Sequence, residues 1–433
     1  MSSSKQFGLI ITTSLVVGTM IGSGIFLLPV SLAEYGAFGF AGWLLSALGA
    51  MVLAFTFASL SRWHTGLGGP YYYSREGIGD FPGFFVAWGY WVSVWVGNAG
   101  IAIASASYLS LLFPILTTTP GAKPILAIAF VWLFTLINIR GVREAGVFQV
   151  FMTLFKTVPL ILFAIVGSFF IDWQQVTAMP EVEGDLFNVI LASTALWLWA
   201  FLGVEVATIP ADNIKDPKRT IPKSIYLGVT IVAMVYVLCM LVIVGVMPNE
   251  QLQQSAGPFA EAAGMIWGGW ASYIMIATAV FSTLGALNAL ILVGAQMPRA
   301  AAKDGLFYHK FADLNKQGAP AYGLIISACL TTVLILLNMS ESTVGIFNFS
   351  ILLSTTTILV PYVFCAAAAF RLQPDDEPKG KRLQQLIFAL AFLFSMWALG
   401  GAGQEALYWG FLLMMFSVPV YVATKGNATH KQS

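Results

Sequence analysis

The sequence predicts an all-α polytopic membrane protein with twelve spans, and three observations carry that prediction. The first is the solvent balance: hydrophobic residues make up 58% of the 433-residue chain and charged residues 9%, with a mean hydropathy of +0.81. A chain of this length in water needs far more charge to cover its surface, so lipid is the solvent for most of it. The second is the recurrence of apolar runs close to the roughly 20 residues that cross ~30 Å of hydrocarbon. The third is the placement of Lys and Arg, which cytoplasmic loops retain.

Taken in order, the predicted spans are 9–32, 38–61, 83–113, 124–140, 149–171, 186–211, 224–247, 267–298, 321–339, 343–370, 384–401 and 405–424. The polar stretch Met1 to Phe7 is short, and the apolar run after it is too long for a cleaved signal peptide, so it reads as a retained first span. With the N-terminus inside, Arg62 and Arg75 fall in an inner loop, as do Arg140 and Arg143, then Lys215, Lys218, Arg219 and Lys223. The next inner groups are Arg299, Lys303, Lys310 and Lys316, then Arg371, Lys379, Lys381 and Arg382, with Lys5, Lys425 and Lys431 on inner tails. Of 21 basic residues only Lys123 is left outside, while Lys156 sits within the fifth span, about one and a half turns from its inner end. A single missed helix would scramble this bias, so both termini are expected in the cytoplasm, in a multi-pass protein of the inner-membrane type. The loops are short, and the longest outer segment, Asp172 to Asp185, carries Glu181, Glu183 and Asp185. Function is therefore expected within the membrane.

A net charge of +1 gives no encouragement to nucleic-acid binding. Cys239, Cys329 and Cys365 each stand alone in apolar surroundings, and His64, His309 and His430 fall in polar segments, so no metal-ligand spacing or disulfide framework arises. No motif identifies a cofactor. An intramembrane enzyme would need paired catalytic groups, whereas the spans offer one glutamate, one lysine and no histidine. Repeated rings of charge or carbonyls, as in ion filters, are not evident either.

Two spans carry internal interruptions at corresponding places. The first contains Gly18-Thr19-Met20-Ile21-Gly22-Ser23-Gly24 and then Pro29; the sixth contains Trp199-Ala200-Phe201-Leu202-Gly203-Val204-Glu205 and then Pro210. Glycine weakens a helix and admits unusual backbone angles, and unwound backbone at membrane depth is tolerated only where it lines a cavity or is buried in protein. The spacing of five spans is expected if spans 1–5 (about 9–171) and 6–10 (about 186–370) form an inverted repeat, with spans 11–12 (about 384–424) outside it. A half-helix N-terminus suits a carboxylate, and unwound carbonyls suit an ammonium, so such a pair of breaks can hold a zwitterionic amino acid by backbone alone. Close packing of glycines is the competing reading; it is favoured for Gly68-Gly69 but not for Gly22-Ser23-Gly24 and Gly203, because those are symmetric.

At these residues the chain resembles the amino acid–polyamine–organocation superfamily, and within it the basic amino acid/polyamine antiporters, such as the arginine/agmatine and putrescine/ornithine exchangers. The likeness is carried by Gly22-Ser23-Gly24-Ile25-Phe26-Leu27-Leu28-Pro29, Gly68-Gly69-Pro70-Tyr71-Tyr72-Tyr73, Trp199 to Glu205, Asp216-Pro217-Lys218-Arg219-Thr220-Ile221-Pro222 and Ala300 to Phe307, which together span nearly the whole chain. The resemblance implies a carrier that works by alternating access, an exchanger of amino acids or related amines, with a dimer as its suggested assembly. It implies that Ser23 and Gly24 hold the substrate carboxylate, with Gly22 in the same break, and that carbonyls near Met20 and Leu202, beside Gly203, take the α-amino group. Trp199 would stack over the substrate, Tyr90 would pack in the outer gate, and Ser93, Asn98 and Ser354 would approach the distal side chain. Glu205 would be the coupling acid, and Tyr71 matches a position tied to pH response.

Two positions depart from the arginine/agmatine pattern. Leu290 stands where that pattern has a tryptophan that stacks on the guanidinium, a contact worth ~0.5–2 kcal/mol, and Thr19 replaces an asparagine. Lys156 occupies a place where some sodium-independent relatives have a lysine and sodium-coupled ones a sodium ion; it would tie span 5 to spans 1 and 8, unless it snorkels to the inner interface. Leu290 and Lys156 together favour an alternative, proton-coupled transport of neutral amino acids.

An intramembrane carboxylate is costly and functional by default, so Glu205 is expected to gain and lose a proton during the cycle rather than only brace the helix. Trp91, Trp95, Trp173, Trp197, Trp267 and Trp270 are expected at the interface or facing lipid. Trp199, one turn before the break, is the exception.

Overall fold

The computed structural model describes residues 7–36, 38–140, 145–177, 185–211, 214–374 and 380–429. Lys5, Arg143, Glu181, Glu183, Lys379, His430 and Lys431 lie outside them. Every regular element among the described residues is helical. Among the described residues ten helices are long and apolar enough to cross a membrane, and an eleventh apolar helix, Ala321–Leu337, is shorter.

The first apolar segment is two helices. α1 (Leu9–Met20) stops where Ile21 turns extended, and α2 (Gly24–Leu32) resumes after Gly22 and Ser23. α3 (Phe38–Trp63), a short, largely buried helix α4 (Pro70–Gly77), α5 (Asp80–Ser110), α6 (Ala122–Arg140) and α7 (Ala145–Gly167) follow. α8 (Leu186–Phe201) ends at an extended Leu202, and Gly203 has φ of +102°, a left-handed region that favours glycine. The chain does not resume as an α-helix there; Val206–Thr208 form one 3₁₀ turn. α9 (Pro217–Val246) starts at a proline in its first turn, where the missing N–H costs nothing. α10 (Gly269–Lys303), α11 (Ala321–Leu337) and α12 (Thr343–Leu372) complete the main bundle. A 44-residue apolar stretch, Lys381–Thr424, closes the chain; within it α13 (Lys381–Leu399) and α14 (Gly403–Met415) are separated by a 3₁₀ turn and a left-handed Gly403.

The molecule is organised around α5, whose most apolar window is 94% buried, against 22% for α6. It packs most extensively on α12 and α10. Small residues permit this closeness: a Cβ on Gly100 would lie 3.2 Å from Ser350, and one on Gly294 of α10 would lie 2.5 Å from Val94. Lipid offers no hydrophobic drive between helices, so this dispersion packing is what holds them.

The helix ends sort into two faces. Lys215 N–H donates to Phe7 O at 3.0 Å and Gly68 N–H to Ile209 O at 3.2 Å. Asn315 Nδ2 donates to Ile139 O at 2.8 Å, and His64 Nε2 lies 3.3 Å from Leu372 O. These contacts gather onto one face the segments that carry nearly all of the described basic residues. On the opposite face Asp172 N–H donates to Gly245 O at 2.9 Å.

The tryptophans correct the sequence reading. Trp173 and Trp270 are exposed, at 61% and 64%, and Trp267 is half-buried against Phe163 and Phe170. Trp91, Trp95 and Trp197, however, are interior. Trp91 Nε1 donates to Ser327 Oγ at 2.8 Å and Trp197 Nε1 to Gly39 O at 3.0 Å. A hydrogen-bond partner lets the indole N–H of Trp91 and Trp197 leave the interface, whereas Trp95 Nε1 is buried without a partner.

Candidate functional site

The two interruptions meet. A Cβ on Gly203 would lie 3.0 Å from Thr19 Cγ2, and one on Gly24 would lie 3.0 Å from Ala200 Cβ and 3.2 Å from Trp199 Cδ1. Between them is a cavity of about 40 Å³. One break lends it Thr19, Met20, Gly22, Ser23 and Gly24, and the other Trp199, Leu202, Gly203 and Glu205. α5 adds Tyr90, Ser93, Val94, Gly97 and Ile101, while Leu290, Ser354 and Ile358 come from α10 and α12. A water needs about 10–15 Å³ of such space, so a solute larger than a few waters enters only when the helices part.

Each break is held by side chains from elsewhere. At the first, Lys156 of α7 is fully buried and its ammonium donates to both Gly18 O and Ile21 O. Ser282 of α10 also donates to Ile21 O, at 3.2 Å. α7 begins at Ala145, so Lys156 lies about three turns into its helix. Of the two readings of this lysine, a tie to span 1 or a snorkelling side chain, its contacts match the tie. A cation at a helix C-terminus meets the negative end of the dipole. Tyr236 of α9 bridges the two breaks, donating to Met20 O at 2.6 Å and lying 3.2 Å from Ala200 O.

At the second break Glu205 is fully buried. Tyr90 donates to its Oε1 at 3.0 Å and Tyr362 of α12 donates to its Oε2. The carboxyl thus ties the second break to two helices, α5 and α12, at the wall of the cavity. Trp199 lies across from α5: a Cβ on Gly97 would come within 2.7 Å of the indole Cη2 and 2.9 Å of Ser354 Oγ. Ser93 and Ser354 sit 3.0 Å apart through their hydroxyls, and Ser354 Oγ donates to Ser93 O at 2.7 Å. Ser23 Oγ is buried and meets no partner.

The cavity therefore gathers Met20, Gly22, Ser23, Gly24, Tyr90, Ser93, Trp199, Leu202, Gly203, Glu205, Leu290 and Ser354 of the residues singled out in the sequence. Asn98 does not line it; its Oδ1 is buried without a partner beside Gly97. Lys156 acts through the α1 carbonyls and not at the wall. Tyr71 lies away from it in α4, donating at 2.7 Å to Asp304 Oδ2, which also takes Arg75 at 2.7 Å. Burial first, and then Asp304 beside it, push the Tyr71 phenol above its ordinary value, so it keeps its proton across the physiological range. The glycines before it are more than packing residues: Gly68 and Gly69 both have positive φ, and a Cβ on Gly69 would run into Thr208 Oγ1 at 2.2 Å. This turn seats α4 against the chain just past the second break.

Sequence reasoning missed Gly97, Tyr236, Ser282 and Tyr362. The tyrosines carried a usable signal. Both lie well inside 30-residue helices, too deep for an interfacial hydroxyl, so each had to find a buried acceptor.

The family described as amino acid permease matches residues 7–431. The chain is 32% identical over 427 residues to a cadaverine/lysine antiporter of Escherichia coli (strain K12), covering 97% of this chain and 95% of that one. It is 29% identical over 423 residues to the putrescine transporter PotE of Haemophilus influenzae, covering 97% of each. A crystal structure of the Eremococcus coleocola manganese transporter shares the fold, with a TM-score of 0.56 at 12% identity over 97% of this chain and 92% of that one.

Proposed function

This chain belongs to the amino acid permease family, a multi-pass membrane transporter and not an enzyme, and on that premise we propose that it exchanges amino acids or related amines by alternating access. The single observation that carries the reading is the cavity between the two interruptions, lined by Gly22, Ser23 and Gly24 on one side and Leu202, Gly203 and Glu205 on the other. The first turn of α2 offers N–H groups with no intrahelical partner beside the unpartnered Ser23 hydroxyl, a fit for a carboxylate. The extended carbonyls around Met20 and Leu202 fit the ammonium, with Trp199 over the bound solute. The relatives' names, a cadaverine/lysine antiporter and a putrescine transporter, support exchange over channel-like passage.

The finer architecture belongs to the same proposal. The 44-residue stretch at the end of the chain would be about 66 Å as one helix, twice the hydrocarbon thickness, which supports two passes. Ala321–Leu337 has 17 residues, at the short end of a spanning helix, which brings the count to twelve. The basic face is then cytoplasmic with both termini, and spans 1–5 and 6–10 are inverted repeats whose first helices carry the breaks. Lys156 fixes the α1 half of the hinge, and Glu205 exchanges a proton as the cavity opens.

The test is counterflow into proteoliposomes preloaded with one solute at a time from a panel of arginine, agmatine, ornithine, putrescine, lysine, cadaverine and several neutral amino acids, at two pH values. Saturable uptake stimulated by an internal amino acid or amine is the expected result. Uptake indifferent to every internal solute overturns exchange, and non-saturable flux overturns the carrier itself.

A further inference from the structure

We infer that the solute held in this cavity carries an uncharged aliphatic side chain, an inference that rests on the broken-helix reading above and narrows it. The cavity offers polar backbone at the breaks, and hydrocarbon beside the Ser93 and Ser354 hydroxyls on the other helices. The breaks supply the groups that suit an α-carboxylate and an α-ammonium, whereas Val94, Ile101, Leu290 and Ile358, from three different helices, line it with hydrocarbon. Among the residues lining the cavity only Glu205 and Tyr90 are ionisable, and Tyr90 donates its hydroxyl to Glu205. The second carboxylate oxygen already takes the Tyr362 hydroxyl. Ser93 and Ser354 are turned on each other and on the Ser93 carbonyl, and their hydroxyls carry no charge to oppose a cation.

A basic amino acid or a diamine has two cationic centres, or a cation where a neutral side chain would end. One ammonium can be taken by the extended carbonyls and Glu205. A second, several carbons away, would be buried against Val94, Ile101, Leu290 and Ile358 with no anion opposite it, which is strongly unfavourable. An aliphatic chain meets no such penalty, and it gains affinity by leaving water.

Norleucine and lysine decide between these cases, because they share the α-carbon groups and the four-carbon chain and differ only in the terminal ammonium. The measurement is counterflow of radiolabelled norleucine and of radiolabelled lysine into proteoliposomes of the full chain, each preloaded with its unlabelled form. Norleucine is expected to show a KM at least about tenfold lower than lysine. As competitors, 2-aminobutyrate, norvaline and norleucine are expected to tighten by about fourfold per methylene. Leu290→Asp places a carboxylate on the apolar wall and is expected to move the lysine-to-norleucine preference about tenfold toward lysine; Leu290→Asn, polar but uncharged, is not. Lysine exchanged as well as norleucine by the wild-type chain overturns the inference and leaves the exchanger reading intact, a result that needs no variant to fold. Exchange of neither also overturns the inference, and only the absence of counterflow with every amino acid and amine of the panel above overturns the exchanger reading as well.

Discussion

At the break in the first span the chain meets a buried lysine, and at the break in the sixth a buried glutamate. The two segments look alike in sequence, each a glycine followed seven residues later by a proline. Past the first, a regular helix of nine residues resumes at Gly24, and the exposed C-terminal carbonyls of α1 are satisfied by Lys156. Past the second, a left-handed Gly203 leads into a single 3₁₀ turn, and the carboxylate is the break's own Glu205, held by tyrosines from α5 and α12. The difference suits two tasks. A lysine that only donates to backbone carbonyls is a pin, whereas a carboxyl between two hydroxyls can remain hydrogen-bonded with or without its proton. Symmetry of backbone thus coexists with asymmetry of charge.

The largest expected effect comes from removing the pin. Lys156→Met leaves the Gly18 carbonyl buried without its donor and strips the charge from a helix C-terminus; losing one member of such a buried charged contact costs about 3–5 kcal/mol. Thermal unfolding in detergent should shift down accordingly, and counterflow should fall by ~100-fold or more. Wild-type exchange by this variant would show that the first break needs no charge.

Next comes the pair of tryptophans that flank Leu198. Trp197 is buried and bonded to Gly39 O, so Trp197→Ala should lose about 3–5 kcal/mol of stability with little change in KM for the protein that folds. Trp199 lines the cavity, so Trp199→Ala should raise KM or lower turnover at nearly normal stability. If the two variants fail in the same assay, Trp199 has no place in the site.

Glu205→Gln keeps the shape and the tyrosine contacts but cannot titrate. Exchange should persist with its pH dependence removed. Tyr71→Phe should leave the pH midpoint where it is, since the Tyr71 phenol, held protonated by burial and Asp304, does not titrate in that range. A shifted midpoint in Tyr71→Phe, or a normal pH profile in Glu205→Gln, would transfer the proton to another group.

The smallest effect sharpens the backbone half of the comparison. Gly203→Ala forces a side chain into φ of +102° and should cost about 1–3 kcal/mol. Gly22 has no such angle, and its Cβ would sit 3.1 Å from the Ala286 methyl, so Gly22→Ala should be milder in stability. Equal losses would mean that close packing, and not backbone conformation, selects both glycines.

Much of this was legible in the chain. The helix positions follow hydropathy, and the ends at Met20 and Phe201 follow glycine-weakened helix. Leu290, Ser93 and Ser354 were reached only through a family resemblance, and they do line the cavity. Asn98, one residue past Gly97, does not, because adjacent residues on a helix face about 100° apart and a motif match cannot choose between them. The interior tryptophans were misread for a related reason. Composition assigns an indole to an interface by average behaviour, while Ser327 Oγ and Gly39 O, which let Trp91 and Trp197 leave it, are distant in sequence.

By itself the sequence determined the membrane as solvent, where the long apolar helices lie, and where two helices cannot continue, since these depend on hydropathy and backbone freedom summed over neighbouring residues. Only the tertiary structure decided that the interruptions face each other and which charge holds each. Lys156 reaches Gly18 across 138 residues and Tyr362 reaches Glu205 across 157. Contacts at such separations depend on how whole helices pack, and no local pattern specifies which buried hydroxyl or ammonium a given carbonyl or carboxylate will find.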